Sequence, residues 1–216
     1  MGYEPEYISV NRIAYDHLAK EYRARAASDR IRDEAIVAPF VRYLSDRFGV
    51  GARVLDIGPG NGVNLAMLAQ HGFNVYGIDL SKQMIKVAQQ NAPSATLKYG
   101  NFLEVDYSKA SFEGIFSKAS IHLFPKKDAE AVLGKITDLL VAQGIFYVTT
   151  TVAQRAQEGF ATKDDYAGAT VRFRKLWTPD ELRRAVTRAG LRIREESFND
   201  ELERGKQWFN IWAVKT

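Results

Sequence analysis

The sequence contains no cysteine, which excludes disulfides, thiolate nucleophiles and thiolate-held metals and is compatible with a reducing compartment. No run of about 18 apolar residues occurs, so nothing reads as a membrane span and no membrane partner is expected. The opening Met1-Gly2-Tyr3-Glu4-Pro5-Glu6 lacks the basic and apolar segments of a secretory leader. A cytoplasmic location is the expectation. Repeats, low-complexity stretches and Pro/Gly/Ser-rich linkers are also missing, so the 216 residues are expected to form a single domain, residues 1–216. Charge of one sign is scarce: 30 basic residues stand against 26 acidic ones, spread along the chain. Even the densest early cluster, Lys20 to Arg25, is broken by Glu21 and reads as a solvated face, which does not point to nucleic acid. No feature specifies an oligomeric state.

What is present is a regular alternation of patterns. Within residues 8–48, Tyr15, Leu18 and Tyr22, then Val37, Val41 and Leu44, recur at helical spacing and predict two helices. From Arg53 onward, strands at 54–57, 74–78, 96–99, 114–117 and 144–150 alternate with helices at 63–70, 82–91 and 127–141. Such alternation predicts an α/β fold, a doubly wound, mostly parallel sheet with helices on both faces. Residues 152–176 read as a long connection with one period-two run, Val171-Arg172-Phe173-Arg174, whose arginines are expected to face solvent. Thr178-Pro179-Asp180-Glu181 then opens a helix with a cap, a proline at its first position and a capping-box glutamate. Strands at 191–198 and 208–214 are expected to close the fold as an antiparallel pair.

The strand at Val54-Leu55-Asp56-Ile57 runs into Gly58-Pro59-Gly60-Asn61-Gly62 and directly on into a helix. Glycines there let backbone approach a ligand at the carboxyl end of a strand, where open α/β sheets bind. A dinucleotide fingerprint starting at Gly58 would need glycine where Val63 stands, and no Gly-Lys-Ser/Thr follows, so pyrophosphate binding is disfavoured. The next strand ends at Asp79, whose carboxylate can accept from both hydroxyls of a ribose. It can equally cap the helix starting near Ser81, and the two roles can coexist.

Together these residues resemble the class I S-adenosylmethionine-dependent methyltransferases over about residues 50–150. The resemblance implies a Rossmann-like sheet, a helical lid at 1–48, a cofactor-binding core at 50–150, a substrate-side insertion at 152–176 and a C-terminal helix with closing strands at 177–216. It implies S-adenosylmethionine as cofactor, with Asp56, Gly58, Gly60 and Gly62 in the loop on its methionine part, Asp79 on the ribose, and Leu80 and Met84 against adenine. Asn101, followed by Phe102, stands where the family often has an acid that accepts from the adenine amino group. Its amide oxygen can still accept.

Methyl transfer from a sulfonium is an in-line displacement in which orientation supplies most of the acceleration, and a base is needed only if the acceptor must lose a proton. His122 is the candidate general base, because imidazole titrates near neutrality; it would serve equally well as a packed or capping histidine. Lys118 is a candidate contact for an acidic acceptor. Residues 117–120, Ser-Lys-Ala-Ser, lack the Asn/Asp-Pro-Pro-aromatic motif of nucleobase amino-methylating relatives. No clustered acids suggest a metal. A metal-free enzyme acting on a small-molecule O or N atom is expected, with Tyr15, Tyr22, Tyr166 and Trp177 walling the acceptor and Arg172 available to an anionic group. Alternatives are an RNA or protein methyltransferase, suggested by the basic excess, and a cofactor-binding domain without transfer activity.

Overall fold

The computed structural model describes residues 4–163 and 169–216, apart from the side chain of Glu203. Its centre is β1 (Arg53–Ile57), on which Val54, Leu55 and Ile57 are all buried. A strand apolar on both sides needs cover on both sides, the mark of a central parallel strand. Accordingly β1 pairs in parallel with β2 (Asn74–Asp79) on one side and with β4 (Phe112–Lys118) on the other. β3 (Thr96–Tyr99) continues the sheet beyond β2, and β5 (Leu140–Val152) continues it beyond β4, both in parallel. Antiparallel β9 (Lys206–Lys215) and β8 (Leu191–Glu201) complete the order β3-β2-β1-β4-β5-β9-β8.

Successive residues of a strand face opposite ways. Val54 therefore packs with α2 (Ala26–Phe48) and α3 (Val63–Gln70), in a core holding Phe40, Leu44, Leu65, Phe116 and Tyr147. Leu55 packs on the other face with α5 (Lys126–Leu139) and α6 (Pro179–Arg188), among Leu133, Ile136, Leu182, Phe146 and Phe209. The sheet is thus doubly wound, as the alternation predicts.

The N-terminal helices form the lid. Leu18 and Ala19 of α1 (Glu6–Ala24) pack on Met84 and Val87 of α4 (Lys82–Asn91). The cap and the proline at the start of α6 are as expected, Thr178 Oγ1 accepting from the Glu181 amide at 3.2 Å with Pro179 in the first turn, while the Glu181 carboxylate accepts from Lys175 Nζ at 3.0 Å in place of closing a capping box. No helix among the described residues is long and apolar enough to cross a membrane.

Two stretches differ from the expectation. Residues 152–176 are not an irregular connection: they contain β6 (Gln157–Lys163) and β7 (Thr170–Leu176), an antiparallel ribbon pairing Phe160 with Phe173. β6 escapes recognition because Gln157-Glu158-Gly159-Phe160-Ala161-Thr162-Lys163 buries only its last residue and has no apolar alternation. The second difference lies at β5, which begins at Leu140, immediately after α5, rather than at Gly144. Its pairing with β4 is interrupted between Phe112 and Gly114, near Gln143 at φ 62, and that irregularity hides the strand's first residues.

Candidate functional site

In the strand order, the chain changes direction between β1 and β4, and open sheets bind ligands outside the carboxyl ends at such a point. A cavity of about 440 Å³ lies there, between the loops after β1, β2, β3 and β4 and the lid helices. Gly58 and Gly60 line it at φ 72 and φ 55, the left-handed region that side chains disfavour. The Gly58 amide donates to the Ile78 carbonyl at 2.8 Å, tying the loop to the end of β2. A Cβ on Gly58 would come within 3.0 Å of Ser120 Cβ, so the loops after β1 and β4 touch.

Asp79 also lines the cavity, and its Oδ1 accepts from the Ser81 amide at 2.8 Å. The cap foreseen for Asp79 is made by Ser81 instead, whose Oγ accepts from the Met84 amide at 3.0 Å, while Asp79 holds the backbone just ahead of the helix and faces the cavity. Burial pushes its pKa up to about 7, against the lowering effect of backbone N–H groups such as that of Ser81. Leu80, Asn101 and Phe102 share the wall. Asn101 is engaged locally: Oδ1 accepts from the Leu103 amide at 3.1 Å and Nδ2 donates to Glu104 at 3.1 Å.

Three residues expected in the cofactor loop or against adenine lie behind the wall. Asp56 is buried beneath the loop with neither carboxylate oxygen hydrogen-bonded to the protein. Burial raises its pKa to about 8; Lys118 opposes the rise, and Asp79 and Asp33 add to it. Gly62 packs against α4, where a Cβ would meet Ala88. Met84 points into the α1–α4 contact with Leu18, and so is covered by the lid helix rather than facing the cavity that Leu80, ahead of α4, lines.

At the opposite end, His122 is 3 % exposed. Its Nδ1 lies 3.0 Å from Thr150 Oγ1 and its Nε2 lies 3.2 Å from Arg172 Nη1. The same Arg172 nitrogen donates to the Tyr15 hydroxyl at 2.9 Å, joining β7 to α1. Burial, then the charges of Arg172, Arg174, Lys163 and Lys206, hold the imidazole pKa well below 6.5.

The expectation that Arg172 and Arg174 face solvent is overturned. Arg172 is buried, both line the cavity, and Arg174 Nη2 donates to Thr151 Oγ1. The period-two pattern does place them on one face, and that face is the one the lid covers.

Tyr15 and Tyr22 line the cavity with rings in edge contact, 6.0 Å between centroids. Lys118 lines it too, but its Nζ is paired with Asp33 of α2, a carboxylate only 2 % exposed. Trp177 is not brought to the cavity: it is fully buried in the α5–α6 core. Tyr166 lies outside the described residues.

Several contributors were missed. Asn61 Nδ2 donates to the Tyr22 carbonyl at 3.2 Å and to Asp29 at 2.7 Å, fastening the loop to the lid. Asn11 donates to the Leu123 carbonyl at 3.0 Å and accepts from the Phe173 amide at 2.8 Å, fastening the lid to β7. Lys163, buried at the end of β6, joins the basic end of the cavity. No local pattern marks these residues, whose partners are distant in the chain.

Residues 54–144 match the family described as a methyltransferase domain. The chain is 27% identical over 96 residues to an uncharacterized methyltransferase of Synechocystis, covering 44% of this chain and 45% of that protein. It thus spans about half the length of the first curated relatives it matches. Among solved structures, the 1,6-didemethyltoxoflavin-N1-methyltransferase of Burkholderia thailandensis, with its acceptor and S-adenosylhomocysteine bound, superposes with a TM-score of 0.74 at 21% identity. That match covers 100% of this chain and 92% of the other. The magnesium protoporphyrin IX methyltransferase of Synechocystis, with S-adenosylhomocysteine bound, gives 0.72 at 18% identity, over 98% of this chain and 100% of the other.

Proposed function

From the class I S-adenosylmethionine-dependent methyltransferase-like fold that this chain has, we propose that it binds S-adenosylmethionine and transfers a methyl group to an O or N atom of a small molecule. The observation that carries the reading is the cavity at the carboxyl ends of β1 and β2, floored by Gly58 and Gly60 in left-handed backbone and edged by Asp79.

The residues fit that cofactor. Gly58 and Gly60 offer unobstructed backbone for the methionine part, with Gly62 shaping the turn and Asp56 supporting it from beneath. Asp79 accepts from ribose hydroxyls, while Leu80 and Phe102 give adenine an apolar wall beside Asn101. When bound, the sulfonium supplies an electrophilic methyl group. The chain's own contribution is orientation and exclusion of water: helices α1 and α2 close over the site, and Tyr15, Tyr22, Lys118 and Arg172 bound the acceptor's space. Residues 50–150 hold the cofactor, 152–176 form the acceptor side, and 177–216 complete the sheet of a single domain.

Isothermal titration with S-adenosylmethionine and S-adenosylhomocysteine tests the cofactor. Saturable binding of both is expected, weakened at least about tenfold by Asp79→Ala, equivalent to about 1.4 kcal/mol. Absence of binding to folded protein overturns the reading. A labelled methyl donor offered with a small-molecule panel, total RNA and a protein extract tests the acceptor class: label in small molecules is expected, and label confined to RNA or protein overturns it.

A further inference from the structure

The start of α4 is completed by a residue of the lid. Ser81, ahead of the helix, is fully buried. Its N–H donates to Asp79 Oδ1 at 2.8 Å, and its Oγ accepts from the Met84 amide at 3.0 Å. The amide can only donate, so the hydroxyl hydrogen of Ser81 is left for a different acceptor. Asp16 of α1 takes it, with Oδ1 lying 2.6 Å from Ser81 Oγ. The same Asp16 oxygen accepts from the Gln83 amide at 3.0 Å. Two first-turn amides that α4 cannot satisfy internally are thus met, one by Ser81 and one by a carboxylate 67 positions away.

Ser81 therefore joins two carboxylates: Asp79 holds its N–H and Asp16 its O–H. Like charges so placed repel, and after burial the charge of Asp16 adds to the rise in the Asp79 pKa. Each carboxylate has N–H donors of its own to offset this, Asp79 from Ser81, Gly60 and Leu80, and Asp16 from Gln83 at the positive end of α4. Apolar contact brings Asp16 to this place, because Leu18 and Ala19, in the next turn of α1, pack on Met84 and Val87. Tyr15, the residue before Asp16, accepts from Arg172 of β7. Two adjacent residues of α1 thus reach the nucleoside end and the acceptor end of the cavity.

We propose that Asp16 is the lid's positioning residue for ribose: by holding the Ser81 hydroxyl and the Gln83 amide it fixes the turn between Asp79 and α4, so that the ribose subsite is complete only when α1 is docked. The group recognised is the cis-diol of a nucleoside, whose two hydroxyls donate to Asp79. A carboxylate that serves two hydroxyls at once must be held within about 0.5 Å of the productive geometry. Asp79 ends β2, and the next side-chain restraint on that backbone is the buried Ser81. The lid consequently belongs to the cofactor site as well as to the acceptor site. Undocking of α1 removes both Asp16 bonds, loosens Asp79 and releases the nucleoside. The proposal rests on the reading of the cavity as an S-adenosylmethionine site.

The probes are S-adenosylhomocysteine and its 2′,3′-dideoxy counterpart, which lacks both ribose hydroxyls, each titrated calorimetrically into the full chain. The wild-type protein is expected to prefer the first by at least about tenfold, since hydrogen bonds to a charged acceptor are lost with the second. Asp16→Ala should reduce the preference to about threefold or less by weakening S-adenosylhomocysteine more than the dideoxy ligand. Asp16→Asn keeps an oxygen that accepts from Ser81 and Gln83, and should restore the wild-type preference. Ser81→Ala, which removes the bridging hydroxyl, should lower the preference in the same way and serves should Asp16→Ala fail to fold. A lid prop would act on both ligands alike, so an equal loss of both with the preference kept overturns the proposal. An unchanged preference in Asp16→Ala and Ser81→Ala, or a wild-type preference near one, overturns it too. Wild-type protein that is folded and binds neither ligand removes the cofactor reading and the proposal together. Binding with the preference insensitive to Asp16 removes the proposal alone.

Discussion

A Cβ placed on Gly62 would fall 2.6 Å from the Cα and 2.8 Å from the carbonyl oxygen of Ala88, so the turn into α3 and the helix α4 meet backbone to backbone. Gly62 also has φ 76, where a side chain is strained. Gly62→Ala should therefore destabilise the protein by at least about 1–3 kcal/mol from backbone strain alone, with displacement of α4 added. Gly60 is the control: its φ of 55 is similar, but a Cβ there would meet only the Tyr22 ring, at 3.6 Å. Gly60→Ala should cost only the backbone strain, about 1–3 kcal/mol. Urea denaturation of the two variants compares them, and equal midpoints would show that the Ala88 contact contributes nothing.

Asp56 makes a second prediction, about pH. Its folded pKa of about 8 lies above the ordinary carboxyl value of 3.8, chiefly through burial, with Asp79 and Asp33 adding to the rise and Lys118 opposing it. A raised folded value means that the native state binds more protons than the unfolded one between those limits, so stability is greatest at low pH and falls as pH rises through 8. Acid denaturation of other carboxylates will bound the effect from below. Asp56→Asn, which keeps the shape and cannot ionise, should reduce the slope of unfolding free energy between pH 5 and pH 8, leaving the part that comes from Asp79, whose pKa is raised to about 7. A slope identical to wild type would mean that Asp56 is ionised and solvated in the native state.

How far these features could be read beforehand depends on the range of the interactions that make them. Val54-Leu55-Asp56-Ile57 announces a central strand because burial on both faces demands apolar residues at successive positions. Thr178-Pro179 announces a helix start because the capping bond closes over three residues. Asn61 and Asn11 announce nothing, since their partners, Tyr22 and Leu123, lie 39 and 112 positions away. Arg172 is the instructive intermediate. Alternation along β7 correctly pairs it with Arg174, but whether that face meets water or the lid is decided by α1, which contributes Tyr15 from 157 positions away. Met84 and Trp177 differ for a related reason: an apolar residue's type reports burial, not whether the cover is a ligand or another helix.

Lys135 yields a third prediction. From α5 its Nζ donates to the carbonyls of Phe102, Leu103 and Val105, at 2.7, 3.2 and 2.6 Å, and so fixes the loop after β3 that carries Asn101 and Phe102 into the cavity. Hydrogen bonds to a charged donor are worth about 1.5–3 kcal/mol each and are not additive. Lys135→Met keeps the stem and removes the donor, and should weaken S-adenosylhomocysteine binding by about tenfold or more while lowering thermal stability. Calorimetry beside thermal unfolding separates the effects. A stability loss with unchanged affinity would confine Lys135 to holding the fold.

Lys118 and Asp33 make the last prediction, because their pairing decides what Lys118 is for. The carboxylate of Asp33 is 2 % exposed and the Lys118 side chain 18 %, and Arg32 Nε, 3.4 Å from Oδ1, gives Asp33 a second cation. Removing one member of a buried pair leaves the other charged and desolvated, at a cost of about 3–5 kcal/mol. Arg32 offsets part of this, so Lys118→Met should destabilise the protein by about 3 kcal/mol. Asp33→Asn combined with Lys118→Met removes both charges and should recover more than half of the loss. The pair joins β4 to lid helix α2 across the cavity, so the single variant should also loosen the lid and speed amide hydrogen exchange in α2. A Lys118 that instead serves only a bound acceptor would give Lys118→Met wild-type stability and wild-type exchange, and the double-mutant cycle would show no coupling with Asp33.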